Sequence, residues 1–216
     1  MNIVVVGGGT VGKFGNDFVK KAKSHDHVVR VLSHRTSAET TATINFLNLE
    51  DCVNKFTEIT SDLSSIDILL YNTSYKGHPD DDSLFTSKGI LKEKLYLYGL
   101  YTHALVPHAL CLQSLKKMNN QSKIIFMTTD VIYNKERTEN LHKLGYYGGK
   151  AYQHQLMLPL AKHNDKGVIV SSISPFFDYN NVSNYMPAFE QVYKHIIEHG
   201  AEQNGQIFDC WESYER

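Results

Sequence analysis

Short apolar runs alternate along the chain with longer stretches whose apolar residues recur every three or four positions, and the two periods predict strands and helices respectively. The candidate strands are Asn2 to Val6, Val28 to Leu32, Thr43 to Leu47, Asp67 to Tyr71, Lys123 to Met127, Gly167 to Ser172 and Gln206 to Asp209. Within them Ile3-Val4-Val5-Val6 and Ile68-Leu69-Leu70 are apolar at every position, the mark of strands covered on both faces. Between them Val11 to Ser24, Leu49 to Ser61, Leu84 to Lys117, Leu141 to His163 and Asn184 to His199 carry the helical period. Pro107 ends or kinks the third of these, since proline removes a backbone donor. Strand and helix in regular alternation are the pattern of stacked βαβ units. The fold class is therefore α/β, a doubly wound parallel sheet of about seven strands with helices on both faces.

Composition narrows the picture without changing it. With 216 residues and 42% of them apolar, the chain is expected to form a single domain, 1–216, around one sizeable core. Lys and Arg number 22 against 23 Asp and Glu, a formal charge of -1, which offers no electrostatic footprint for nucleic acid or an anionic membrane. Met1 leads straight into the first apolar run, and no later run approaches the roughly 18 residues needed to span a bilayer. A cytoplasmic protein is expected. Cys52, Cys111 and Cys210 are far apart and odd in number, which fits reduced, buried small hydrophobes better than a disulfide frame or a zinc site.

The first strand is followed at once by Gly7-Gly8-Gly9-Thr10-Val11-Gly12-Lys13-Phe14-Gly15. A dinucleotide's pyrophosphate needs backbone N–H groups that it can approach closely and a helix N-terminus that favours negative charge. Glycines between a first strand and a first helix supply both, so the sheet reads as a Rossmann-type NAD(P)-binding domain, with Gly7, Gly9, Thr10, Val11 and Gly12 as cofactor contacts. An enzyme specific for NAD usually carries a carboxylate after the second strand to hold the ribose 2'-hydroxyl. Here the chain reads Ser33-His34-Arg35-Thr36-Ser37. Arg35 and Ser33 suit a 2'-phosphate instead, so NADP(H) is expected over NAD(H).

Tyr146 and Lys150 are four residues apart in a helical pattern, which sets a cation beside a phenol. That neighbour matters, because an unperturbed phenol is a poor proton donor at neutral pH. With 13 tyrosines in the chain the spacing alone says little. Its place carries the weight: the pair follows the fifth strand, whose end delivers Thr128-Thr129-Asp130, and ligands of open parallel sheets bind at those ends.

At these motifs the chain resembles the short-chain dehydrogenase/reductase superfamily, nearly from end to end. The resemblance implies that Thr129, Tyr146 and Lys150 are catalytic, with Tyr146 and Lys150 also touching the cofactor. It places Asn48, with Leu49, where the family's adenine-contacting Asp stands, sets Asn72, Thr73 and Ser74 in the place of its Asn-Asn-Ala-Gly stretch, and puts Pro175 near the nicotinamide. Gly205-Gln206-Ile207-Phe208 is similar to its last strand. Thr128-Thr129-Asp130-Val131-Ile132-Tyr133 is similar to the Ser-Thr-Asp-Tyr-Val-Phe segment of dTDP-4-dehydrorhamnose reductases, longer enzymes whose C-terminal substrate domain has no room here. Three positions depart from the family. Tyr96 aligns with its catalytic Asn, Phe176 replaces the glycine after the proline, and Gly149 stands before Lys150 where Ser is usual.

The implied function is an NADP(H)-dependent oxidoreductase that moves hydride between a nicotinamide and a small carbonyl or alcohol substrate, with Tyr146 as general acid/base. The alternative is a non-catalytic NAD(P)-binding sensor or scaffold of the same fold. A homodimer or homotetramer is expected from the two long helical segments Leu84 to Lys117 and Leu141 to His163. No metal is expected: His195 and His199 lie four apart but lack a zinc motif or a third ligand.

Overall fold

Strands β1 (Asn2–Val6), β2 (Val28–Ser33), β3 (Ala42–Thr43), β4 (Ile68–Tyr71), β5 (Lys123–Met127), β6 (Ile169–Ser174) and β7 (Ile207–Asp209) form one parallel sheet in the order β3-β2-β1-β4-β5-β6-β7. This is a computed structural model, and it describes residues 1–10, 13–73, 87–90, 92–129, 144–175, 177, 179, 181–198 and 200–210, apart from the side chains of residues 94, 95 and 144. The strand order reverses between β1 and β4, which opens a crevice at their carboxyl ends. Register sets the level of that crevice: Val6 lies opposite Leu32 and Tyr71, and Tyr71 lies opposite Phe126. Gly7, Asn72 and Met127 therefore reach the same edge of the sheet.

Because alternate strand residues point to opposite faces, each strand feeds two cores. Val4, Val6, Leu69, Tyr71, Ile124 and Phe126 pack with residues of α2 (Leu49–Thr60), α4 (Val106–Leu115) and α5 (Leu144–His163), among them Phe56, Leu110 and Met157. Ile3, Val5, Ile68, Leu70 and Ile125 pack with α1 (Phe14–Ser24) and α6 (Val182–Glu198) through Phe18, Val19, Phe189 and Val192. Each fully buried side chain of this size contributes roughly 1.5–3 kcal/mol. The three cysteines are buried in these cores, and burial pushes the Cys52 thiol up to about 12. No helix among the described residues is long and apolar enough to cross a membrane.

Three elements differ most from the sequence pattern, each for a local reason. β3 is only Ala42–Thr43, not Thr43 to Leu47. Asn45 Oδ1 accepts the Leu47 amide at 3.1 Å and the Asn45 carbonyl accepts the Asn48 amide at 2.9 Å, so the chain turns into α2 while Ile44 and Phe46 stay in the core. β6 starts at Ile169 because Gly167 turns at φ +68° and Asn164 brackets Val168, accepting from its amide and donating to its carbonyl.

The long third helix is broken into α3 (Glu93–Leu100), a π-helical turn (Tyr101–Leu105) and α4. In that turn the Val106 amide donates to Tyr101 rather than Thr102. The next donor in π register would come from residue 107, which is proline and has none. The Thr102 carbonyl is thereby released from the helix. It accepts the Tyr71 hydroxyl at 2.8 Å and the Thr73 hydroxyl at 3.4 Å, and burial holds the Tyr71 phenol well above its ordinary range, so it remains a donor.

Candidate functional site

Leaving β1, the chain must turn within contact distance of β4. Gly7 does so at φ +96°, and a Cβ there would lie 2.8 Å from the Asn72 carbonyl oxygen, so both the backbone angle and the space call for glycine. The Asn72 side-chain amide donates to the Gly7 carbonyl at 3.2 Å and braces the turn from β4. Gly9 lies against the end of β2, where a Cβ would fall 2.4 Å from Ser33 Oγ. α1 then opens with Lys13 at its N-cap and no side chain capping it. The Phe14 amide donates to the Tyr179 hydroxyl at a long 3.4 Å, and Lys13 Nζ sits 4.0 Å above the Tyr179 ring. Thr10 is half-buried. Val11, Gly12 and Ser74 lie outside the described residues, as do Asp130 to Tyr133, Phe176 and His199.

Across the crevice, at the end of β2, Ser33 is turned inward and its hydroxyl accepts the Arg35 amide at 3.2 Å. Arg35 itself is exposed and forms no ion pair among the described residues. Its charge draws the Tyr98 phenol down, although burial outweighs that and leaves it raised. Glu39, the first carboxylate after β2, pairs with Lys23 of α1 at 2.7 Å. Asn48 is the N-cap of α2, accepting the Asp51 amide at 3.0 Å, while Leu49 packs on the core.

At the other end of the crevice Lys150 is 1% exposed. A buried ammonium is tolerated only when its protons find acceptors. Nζ donates to the Thr73 carbonyl at 2.9 Å, the Met127 carbonyl at 2.5 Å and Gln153 Oε1 at 3.1 Å. One side chain of α5 thus ties the ends of β4 and β5. Tyr146, one turn earlier and 8% exposed, places its ring 6.0 Å from that Nζ. Thr129 is half-buried just beyond β5 and Pro175 half-buried just beyond β6. Thr128 Oγ1 and Ser174 Oγ, buried at the same two strand ends, have no hydrogen-bond partner among the described residues.

The structure brings Thr73, Tyr146 and Lys150 together, with Thr129 at the neighbouring strand end. It sets Arg35 and Asn48 on the far side of the glycine turn. It also adds two residues to the expected set. His103, fully buried in the π turn, meets the Tyr146 ring edge-on, with centroids 5.2 Å apart at 81°. Tyr96 lies two turns further back, half-buried with its carbonyl toward Gly145. Gly149 explains the approach, since a Cβ there would lie 2.4 Å from His103 Cβ. The second addition is Gln153. Its signal in the sequence is a polar residue three places after Lys150, where side chains of one helix face meet.

No protein-family model matches the chain, and no curated protein sequence matches it. Solved structures match in fold. An oxidoreductase (short chain dehydrogenase/reductase) from Brucella ovis superposes with a TM-score of 0.76 at 16% identity, covering 97% of this chain and 99% of that one. A double mutant of a Serratia marcescens short-chain dehydrogenase/reductase gives 0.74 at 15% identity, covering 97% and 95%. A chain described as a short chain dehydrogenase from Shigella flexneri 2a, complexed with NADP, gives 0.73 at 15%, covering 97% and 96%. This chain has the short-chain dehydrogenase/reductase fold.

Within that fold, the contact between Gly149 and His103 can be tested by restoring the serine usual at that position. Overpacking typically costs about 1–3 kcal/mol, more than the roughly 0.5–1 kcal/mol that a helical glycine gives away. Gly149→Ser is therefore expected to lower the urea midpoint without changing the slope. A variant as stable as the parent would show that the π turn and α5 do not pack this closely.

Proposed function

We propose that the protein is an NADP(H)-dependent oxidoreductase acting on a small carbonyl or alcohol substrate. The observation that carries the reading is the placement of Tyr146 and Lys150 on one helix, with the lysine anchored to the ends of β4 and β5 beside the glycine turn. The Shigella flexneri neighbour's complex with NADP supports the choice of cofactor.

The residues present fit that cofactor. The Gly7–Gly9 turn and the loosely capped start of α1 suit a diphosphate. Exposed Arg35, with Glu39 held by Lys23, suits a 2'-phosphate. Asn48 and Leu49 border the adenine side, Asn72 and Thr73 the ribose. The orphaned Thr128 and Ser174 hydroxyls offer polar partners at the strand ends. When bound, the cofactor supplies or accepts the hydride. The chain's own residues do the rest. Tyr146 holds at its hydroxyl the proton that the substrate oxygen needs, Lys150 favours the phenolate left behind, and the Thr129 hydroxyl orients the carbonyl. One observation favours a cofactor-binding protein without turnover: Tyr96 stands where the family resemblance calls for the catalytic Asn.

Arg35→Ala is expected to weaken NADPH more than NADH, because a charge-assisted contact is worth about 1.5–3 kcal/mol. Equal losses in paired titrations would remove Arg35 from the 2'-phosphate.

Tyr146→Phe deletes one hydroxyl, so NADPH affinity should hold while turnover of an aldehyde or ketone falls by roughly 10²-fold or more. Steady-state NADPH oxidation checks it. Full turnover would move the acid elsewhere, with Tyr147, whose ring centroid is 5.7 Å from that of Tyr146, the next candidate.

The same reading includes self-association. Leu105, Leu112 and, on α5, Leu158 are exposed, and α4 and α5 border a groove of about 530 Å³ lined in part by Leu112, Leu115, Leu156 and Pro159. A second copy would cover that face with its own. Light scattering is expected to give a dimer or tetramer, and Leu112→Glu a monomer; a monomeric parent at micromolar concentration would end this part of the proposal.

A further inference from the structure

Gln153 is a buried polar side chain to which the mechanism above gives no task. It is 0% exposed, its Oε1 accepts from Lys150, and its Nε2 has no partner among the described residues. A carboxamide with half of its hydrogen-bonding capacity unmet is costly in a core. Packing alone would be served better by an apolar residue of the same volume, so its oxygen must serve a purpose.

The purpose lies in the lysine. Of these three acceptors on Nζ among the described residues, the Thr73 and Met127 carbonyls are main chain, fixed by the ends of β4 and β5. Gln153 Oε1 alone is on a side chain that can rotate away. It is also neutral. A carboxylate there would form an ion pair in a low-dielectric setting and be much harder to displace, whereas an apolar residue would leave one ammonium proton without an acceptor.

We propose that Gln153 is a positioning residue that stands in for a cofactor hydroxyl, accepting the third proton of Lys150 in the free protein and yielding that proton on binding. No bond order or protonation changes: an N–H···O contact to an amide oxygen is exchanged for one to a ribose hydroxyl oxygen. Cofactor affinity then reflects the difference between two such contacts. The proposal rests on the NADP(H) reading above.

Two variants of the full chain test it, by thermal unfolding without cofactor and by NADPH titration. Gln153→Met removes the acceptor, so the free protein should melt lower yet bind NADPH about tenfold or more tighter, the worth of one charge-assisted contact. Gln153→Glu pins the ammonium, so NADPH should bind about tenfold or more weaker. A role in packing alone would lower the melting temperature without tightening the cofactor. A Met variant with unchanged or weaker binding, or a Glu variant with unchanged binding, overturns the proposal while leaving the cofactor reading intact. If the Met variant does not fold, the Glu variant decides alone. Failure of the parent protein and both variants to bind NADPH overturns the cofactor reading, and this proposal with it.

Discussion

A charged ammonium at 1% exposure must have its protons met, and Lys150's reach to two strand ends at once is the constraint on which this end of the crevice depends. Holding the Thr73 and Met127 carbonyls fixes α5 against the sheet, and Tyr146, one turn earlier, takes its place from that anchor. Thr73 is itself held from behind. Its hydroxyl and that of Tyr71 bond the Thr102 carbonyl, which is free because the π turn and Pro107 leave it no backbone donor. A proline remote from the crevice thus helps to place the carbonyl that receives the lysine.

Close helix approach makes this reach possible. A Cβ on Gly99 would lie 2.9 Å from the Gly145 backbone, and one on Gly149 would strike His103, so α5 and the broken third helix meet backbone to backbone. Each helical glycine gives up roughly 0.5–1 kcal/mol relative to alanine, a cost offset by the contacts that the approach permits. The two ends of the crevice are joined by adjacent residues: the Asn72 side chain braces the glycine turn, and the Thr73 carbonyl receives the lysine. A shift of the β4 end would disturb both.

Local pattern specified much of this. β1 and β5 have the bounds that their apolar runs predict, each run preceded by one polar residue, because a strand buried on both faces needs only its own composition to be recognised. The glycine turn, Arg35 and the Tyr146–Lys150 pair were equally visible, since close approach, charge and helical spacing are properties of residue type and short separation. β3 departs from its apolar pattern, because the side chain of Asn45 competes with the strand for the backbone, and apolarity at Ile44 and Phe46 reports burial rather than pairing.

The partners of the site residues were not legible. The sequence by itself determined which residue types stand at the glycine turn, after β2 and on α5. Only the tertiary structure decided that His103, and not Tyr96, meets Tyr146, because a π turn inserts an extra residue and rotates every later side chain around the helix. It alone decided that Lys150 spends its three protons on Thr73, Met127 and Gln153, since two of those acceptors are main-chain carbonyls. Every residue carries such a carbonyl, and only the meeting of distant strands makes two of them the lysine's own.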